Sequence, residues 1–172
     1  MAKADLSAQL VRELLDYCPE TGALTWRPRA GSPGNFNGKF AGKDAGHLES
    51  RGYVVLHMTA VGTYLAHRIA WLHAHGEWPA GQIDHINGIR HDNRLCNLRD
   101  VPPETNSENR TRANRNRSSR LPLGVYRGNG GKFVAQIRSR GEIRYLGRFS
   151  TPEEAHEAFL KAKRALHAGC TI

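Results

Sequence analysis

Ile83-Asp84-His85-Ile86-Asn87-Gly88, followed by Asn97-Leu98 and then Asn106, is the stretch on which the reading of this chain turns. Gln82–His85 has the length and composition of a short strand, Asn87-Gly88 is a turn signal, and residues 95–101 read as a returning strand. Pro102-Pro103 suits the first turn of a helix, where proline has no amide to lose. Residues 82–109 therefore predict a hairpin-like loop followed by a helix. Their polar residues are ordered: His85 directly follows Asp84, Asn97 stands 12 positions after His85, and Asn106 nine beyond that.

This order resembles the HNH (ββα-metal, His-Me finger) nuclease motif, in the phage and homing-endonuclease branch that opens with Asp-His. The resemblance spans about 25 residues. It implies a catalytic role for His85, with Asp84 and Asn106 as metal ligands and Asn97 as the residue that holds the loop. Asn93 competes for the middle position; the 12-residue spacing favours Asn97. Asn106 stands where the family's name has His, leaving oxygen ligands only. The chemistry suits these residue types. An imidazole takes a proton from water near neutral pH, and carboxylate and amide oxygens suit Mg²⁺, which keeps several waters and shares phosphate oxygens. Mn²⁺ is expected to substitute. By the same resemblance, one metal acts and cleavage leaves a 5′ phosphate. Just upstream, His67-Arg68 matches the His-Arg helix start that often precedes this motif; His67 is either a phosphate contact or a satisfied structural histidine.

Charge points the same way. The chain of 172 residues carries +9, and residues 105–148 hold eleven Arg/Lys against two acids, so the rest is neutral. Tyr126, Phe133 and Tyr145 interleave with these bases, as expected for a polyanion partner. Arg110, Arg112, Arg115, Arg117 and Arg120 lie in an Arg/Asn/Ser stretch, 110–120, that reads as an inter-domain linker able to follow a DNA backbone.

Beyond the linker come three strand signals, 123–127, 132–138 and 143–149, then Thr151-Pro152-Glu153-Glu154 opening a helix to about His167. Its apolar stripe is Ala155, Ala158, Phe159, Ala162 and Leu166. Gly124-Val125, Lys132-Phe133-x-Ala135-x-Ile137-Arg138 and Leu146-Gly147-x-Phe149-x-Thr151-x-Glu153-Glu154-Ala155 resemble the Apetala-two (ethylene-response-factor) DNA-binding domain, over about 45 residues. That family lays its sheet in the major groove. Period-two alternation turns Phe133, Ala135 and Ile137 toward the helix and Val134, Gln136 and Arg138 outward, joined by Tyr126 and Tyr145. Lys132, Gln136 and Arg138 are thus candidate DNA contacts, with Arg138 suited to guanine and Gln136 to adenine. Tyr126, Gly128 and Ile143 stand where plant members carry Arg and Trp, which shifts the expectation toward phosphate and shape contacts.

Upstream, the apolar spacing of Leu6, Leu10, Val11, Leu14 and Leu15 predicts an amphipathic helix over 6–17, ended by Pro19 and Gly22. Residues 23–50 read as loops around short strands, 53–59 and 63–66 as strands, and 67–75 as a helix with Ile69, Ala70 and Leu72 inward. This region reads as scaffold, without evident chemistry.

The expected architecture is α+β: a ββα-metal core with a mixed N-terminal scaffold over 1–109, the linker 110–120, and a three-stranded antiparallel sheet packed on one helix over 121–172. The expected function is a site-preferring DNA endonuclease acting on double-stranded DNA, in a phage or mobile-element context. The alternative is a catalytically silent DNA-binding or regulatory protein. No apolar run reaches the roughly 18 residues of a membrane span, and mean hydropathy is −0.58. The opening MAKADLSAQL has no signal-peptide pattern. Cys18, Cys96 and Cys170 are scattered, which argues against a disulfide framework or a cysteine-rich zinc site. A cytoplasmic location and no obligate protein partner are expected. No Gly-rich phosphate loop or nucleophile motif suggests a small-molecule enzyme.

Overall fold

The computed structural model describes residues 6–31, 35–59, 61–109, 121–139, 141–167 and 170. The chain divides into two compact units, Met1–Pro102 and Pro103–Ile172. The architecture is a mixture of five α-helices and several small antiparallel sheets among the described residues, compatible with the α+β class.

In the first unit, Ser7 caps α1 (Ala8–Leu14), its side chain accepting from the Leu10 amide. The helix predicted to Tyr17 stops at Leu14, because Leu15–Tyr17 leaves it as β1 and pairs antiparallel with β2 (Leu24–Trp26). Leu15 lies in the core on the strand instead of closing the helical stripe, so apolar spacing alone did not mark the change of period. The tip between the strands is turned by Gly22 at φ 76°, whose amide donates to the Cys18 carbonyl. Next comes α2 (Phe36–Phe40), then the sheet β3 (His47–Leu48), β4 (Val54–Met58) and β5 (Gly62–Leu65), with β4 in the middle. α3 (Ala66–His75) ends on left-handed Gly76, a common helix stop. Val11, Leu15, Leu56, Ile69 and Leu72 form the core against which α1, the β-sheet and α3 close.

One edge of α3 carries a second apolar cluster, Ala70 with Ile83 and Leu98. Those partners come from β6 (Gln82–His85) and β7 (Leu98–Val101), an antiparallel pair in the register Gln82↔Val101, Ile83↔Asp100, Asp84↔Arg99, His85↔Leu98. The return predicted over 95–101 begins with a 3₁₀ turn, Leu95–Asn97. Entry into β6 is fixed by Asp100, whose carboxylate accepts from the amides of Ala80 (2.7 Å) and Gly81 (2.8 Å).

The second unit begins with α4 (Pro103–Glu108). Its body is an antiparallel sheet of β8 (Val125–Arg127), β9 (Phe133–Ser139) and β10 (Glu142–Phe149), with β9 central, packed on α5 (Pro152–Leu166). Thr151 and Glu154 form a full capping box at the start of α5. Val125, Ala135 and Ala155 make the inner core, and Ala135, Ile137 and Ser139 are the buried side of β9. A bulge between Tyr145 and Gly147 shifts the phase of β10. Lys163 departs from the predicted stripe: it is 1% exposed and among the α5 residues turned inward, and burial pushes its amine below the ordinary lysine value.

Candidate active site

The loop 86–97 joins β6 to β7, and its hydrogen bonds close on themselves. Gly88, at φ 71°, donates its amide to the His85 carbonyl at 2.8 Å. The Asn87 side chain accepts from the Ile89 amide (2.8 Å) and donates to Asp92 (2.7 Å). Asn97, 5% exposed, ties both ends: its Oδ1 accepts from the Asn87 amide at 2.9 Å and its Nδ2 donates to the Asp92 carbonyl at 2.8 Å. Arg94 forks onto Asp92, Nε to Oδ1 at 2.8 Å and Nη2 to Oδ2 at 2.6 Å, and this holds the Asp92 carboxyl well below the usual carboxylate range. With that many bonds inside a short connection, the ends of β6 and β7 are held in one register.

His85 ends β6 and is 5% exposed. Its Nε2 lies 3.4 Å from Asn93 Oδ1. Asn93 is itself held from outside the loop, since the Tyr17 hydroxyl donates to its carbonyl at 2.8 Å. Gly22 packs close there: a Cβ on it would sit 2.5 Å from the Arg94 nitrogen and the Asn93 carbonyl carbon. The N-terminal hairpin thus buttresses the loop that faces His85, and only glycine fits at the contact. Two aromatic rings complete the surroundings. His67 of α3 meets His85 edge-on, with centroids 5.0 Å apart at 84°, and Tyr53 lies 5.4 Å from His67 and 6.1 Å from His85. The Arg90 guanidinium sits 5.0 Å over the Tyr53 ring and donates to the Arg51 carbonyl.

These surroundings set the charge state of the histidines. Burial pushes His85 below its ordinary value; the bond to Asn93 and the charges of Asp84 and Asp92 oppose this, and Arg90 adds to the fall. Burial, then the neighbouring His85 and Arg68, push His67 down to about 3. Both rings are therefore neutral at pH 7.

Asp84 is also 5% exposed, on the strand position that faces Arg99 across the ladder. Arg99 donates from Nε (2.9 Å) and Nη2 (2.7 Å) to the same oxygen, Asp84 Oδ2. Asp84, His85 and Asn97 thus share one hairpin. Asn106 stands on α4, in the second unit. Among the described residues no three His, Cys, Asp or Glu side chains come together as a metal cage. The oxygen donor that the hairpin itself offers, the Asp84 carboxylate, suits a hard cation that takes its other ligands from phosphate and water.

Of the predicted DNA contacts, Arg110, Arg112, Arg115, Arg117 and Arg120 lie outside the described residues. The others share the small sheet. Tyr126 pairs with Val134, Gln136 with Tyr145, and Arg138 with Ile143, so these residues occupy the face away from α5. Tyr126 (43%), Ile143 (59%) and Tyr145 (62%) are exposed there. Lys132 donates to the Ser150 hydroxyl at 3.0 Å, beside the sheet.

Sequence reading left Tyr53, Arg90 and Arg99 unnoticed, and weighed His67 and Asn93 without seeing that both meet His85. His67-Arg68 carried a signal; Arg68 itself lies over the Trp78 ring at 5.4 Å. Arg99 could be paired with Asp84 only once the length of the loop was known.

A family model described as HNH endonuclease matches residues 64–108, from β5 through α3 and the β6–β7 hairpin to α4. No curated protein and no solved structure matches the chain. Residues 64–108 are thus similar to a nuclease domain, and the coarse function, an endonuclease acting on nucleic acid, follows from that similarity.

Proposed function

We propose that this protein is a DNA endonuclease that hydrolyses phosphodiester bonds with His85 as general base. The observation that carries this reading is the state of His85: buried, neutral at pH 7 and held at the end of a strand beside Asp84. With Asn93 Oδ1 as acceptor, Nε2 carries the ring hydrogen, and Nδ1 is left with the lone pair that removes a proton from water. Asn97 acts by holding the hairpin ends that aim this ring. Asp84 and Asn106 are the oxygens that would hold one Mg²⁺ or Mn²⁺. When bound, such an ion neutralises phosphate charge and eases departure of the 3′ oxygen, leaving a 5′ phosphate. Arg99 steadies the Asp84 carboxylate when no cation is held.

The second unit reads DNA in this proposal. Its sheet-on-helix arrangement, and the outward Tyr126, Gln136, Arg138 and Tyr145, support the likeness to Apetala-two domains. Arg110–Arg120 would follow the backbone between the two contacts, and the substrate would be double-stranded DNA in a phage or mobile-element setting.

A second reading, a silent DNA-binding protein, is favoured by one observation: Arg99 already neutralises Asp84. Supercoiled plasmid incubated with Mg²⁺ or Mn²⁺ decides between them. The nuclease reading expects open-circle or linear product that disappears with EDTA and in His85→Ala, while His85→Ala still shifts DNA in a gel. Intact plasmid with a persistent gel shift, across varied targets, would establish the silent reading.

A further inference from the structure

Arg90, in the loop between β6 and β7, is an exposed residue whose guanidinium is nonetheless fixed by two contacts. Nη1 donates to the Arg51 carbonyl at 2.9 Å, and the guanidinium carbon lies 5.0 Å from the centre of the Tyr53 ring. Arg51 belongs to the turn between β3 and β4, which the Gly52 amide closes on the Glu49 carbonyl at 2.8 Å. Carboxylates of these two loops and of β6 are held by other cations: Asp92 by Arg94 at 2.6 Å, Asp84 by Arg99 at 2.7 Å and Glu49 by Arg51 at 3.2 Å. Arg90 thus has no acidic partner among the described residues, and a guanidinium with five N–H donors keeps several of them open to another acceptor. The ring beneath it also meets the proposed base, since Tyr53 and His85 have centroids 6.1 Å apart. The Arg90 charge is felt at His85, whose proton affinity it lowers.

We infer that Arg90 is a substrate-positioning residue, its guanidinium gripping the backbone phosphate next to the scissile one on the strand that His85 serves. The inference rests on the nuclease reading above and adds a DNA contact from the first unit, outside the metal-and-base motif. A planar fork of donors matches two oxygens of one phosphate, and the backbone is what a cation beside a phosphodiester-cutting base meets. The link to His85 runs through Tyr53, which puts the gripped phosphate beside the reacting one. Because the carbonyl and the ring fix the guanidinium before DNA arrives, little ordering is left to be done on binding, and the strand is held in register with the base.

The plainer role, a latch between the two loops, makes different predictions. In EDTA, affinity for a short mixed-sequence duplex is measured across a salt series. Arg90→Gln should weaken binding several-fold and flatten the slope of log affinity against log salt by about one, the signature of one lost phosphate contact. Arg90→Lys keeps the charge and should keep the slope. With Mg²⁺ and saturating protein, single-turnover plasmid cutting should fall about tenfold in Arg90→Gln, and stay low in Arg90→Lys and in Tyr53→Leu, which lose the fork or its platform. A latch predicts lowered thermal stability with the slope unchanged. Arginine Nε–H spectra of the wild-type protein need no variant: saturation with duplex should shift the Arg90 resonance. An unmoved resonance, or a wild-type salt slope in folded Arg90→Gln, overturns the inference and leaves the nuclease reading intact. Wild-type protein that binds plasmid and never cuts it overturns the nuclease reading, and with it the place of Arg90 beside a scissile phosphate.

Discussion

Asn93 shows how much at this site depends on which atom of a residue is engaged. Its backbone carbonyl accepts from Tyr17, while its side chain alone reaches His85 Nε2. Asn93→Ala therefore removes the bond to the imidazole and leaves the loop tethered. Cleavage should slow by roughly 10–100-fold, the usual effect of losing a partner that orients a functional histidine, with DNA affinity unchanged. The pH profile gives a second check. The Asn93 bond raises the proton affinity of His85 against the lowering by burial, so its loss moves the His85 pKa further down. A general base works above its pKa and is lost as pH falls through it, so the acid limb lies below about pH 6.5 in the wild type and lower still in the variant. An acid limb that moved upward would mean that Asn93 does not bond the ring. Asp84, His85, Asn97 and Asn106 were legible as a motif because their spacing is local. Asn93 was visible only as a rival for the place of Asn97, since spacing orders residues along a chain without saying which side chain crosses a loop.

At the scale of elements, the same limit explains what was and was not readable. The β6–β7 hairpin followed from the Asn87-Gly88 turn, and the sheet on α5 from strand period and a capping box, all local signals. α1 was read too long because Leu14 and Leu15 satisfy a helical stripe, while pairing with β2, a non-local event, claims Leu15 for a strand. Lys163 was unreadable as a buried position because its chemistry argues for the surface. Gly124 is the clearest test of how tightly the second unit is built. It has φ +80°, and a Cβ there would fall 2.0 Å from Phe159 Cδ2 and 2.4 Å from Cγ, near the root of the ring, which cannot swing aside as a flexible tip would. Gly124→Ala combines a strained backbone with overpacking against α5 and should destabilise this unit by about 3 kcal/mol. Urea unfolding of chain 103–172, followed by circular dichroism, would check it. An unchanged midpoint would show that Phe159 is not seated on Gly124, and the packing of α5 would need revision.

For the whole molecule, the division of the charge matters more than its total. Removing residues 121–172 takes away nine basic and four acidic residues and leaves the remaining 120 at +4. Each Lys or Arg that neutralises a phosphate releases counterions, so a chain with fewer of them binds more weakly and its affinity depends less steeply on salt. Chain 1–120 should therefore bind DNA at least about tenfold more weakly, with a smaller salt slope and no site preference. It keeps α4, and with it Asn106, as well as the hairpin that holds Asp84 and His85. Slow metal-dependent nicking of concentrated plasmid should survive. Chain 1–102 ends at the boundary between the two units, before Asn106. If that residue completes the oxygen set with Asp84, the shorter chain should stay folded by circular dichroism, lose nicking, and lose the thermal stabilisation that Mn²⁺ gives chain 1–120. Nicking by chain 1–102 would remove Asn106 from the site and leave the hairpin alone as the catalytic unit. Loss of all nicking in a folded chain 1–120 would mean instead that residues 121–172 take part in the chemistry themselves.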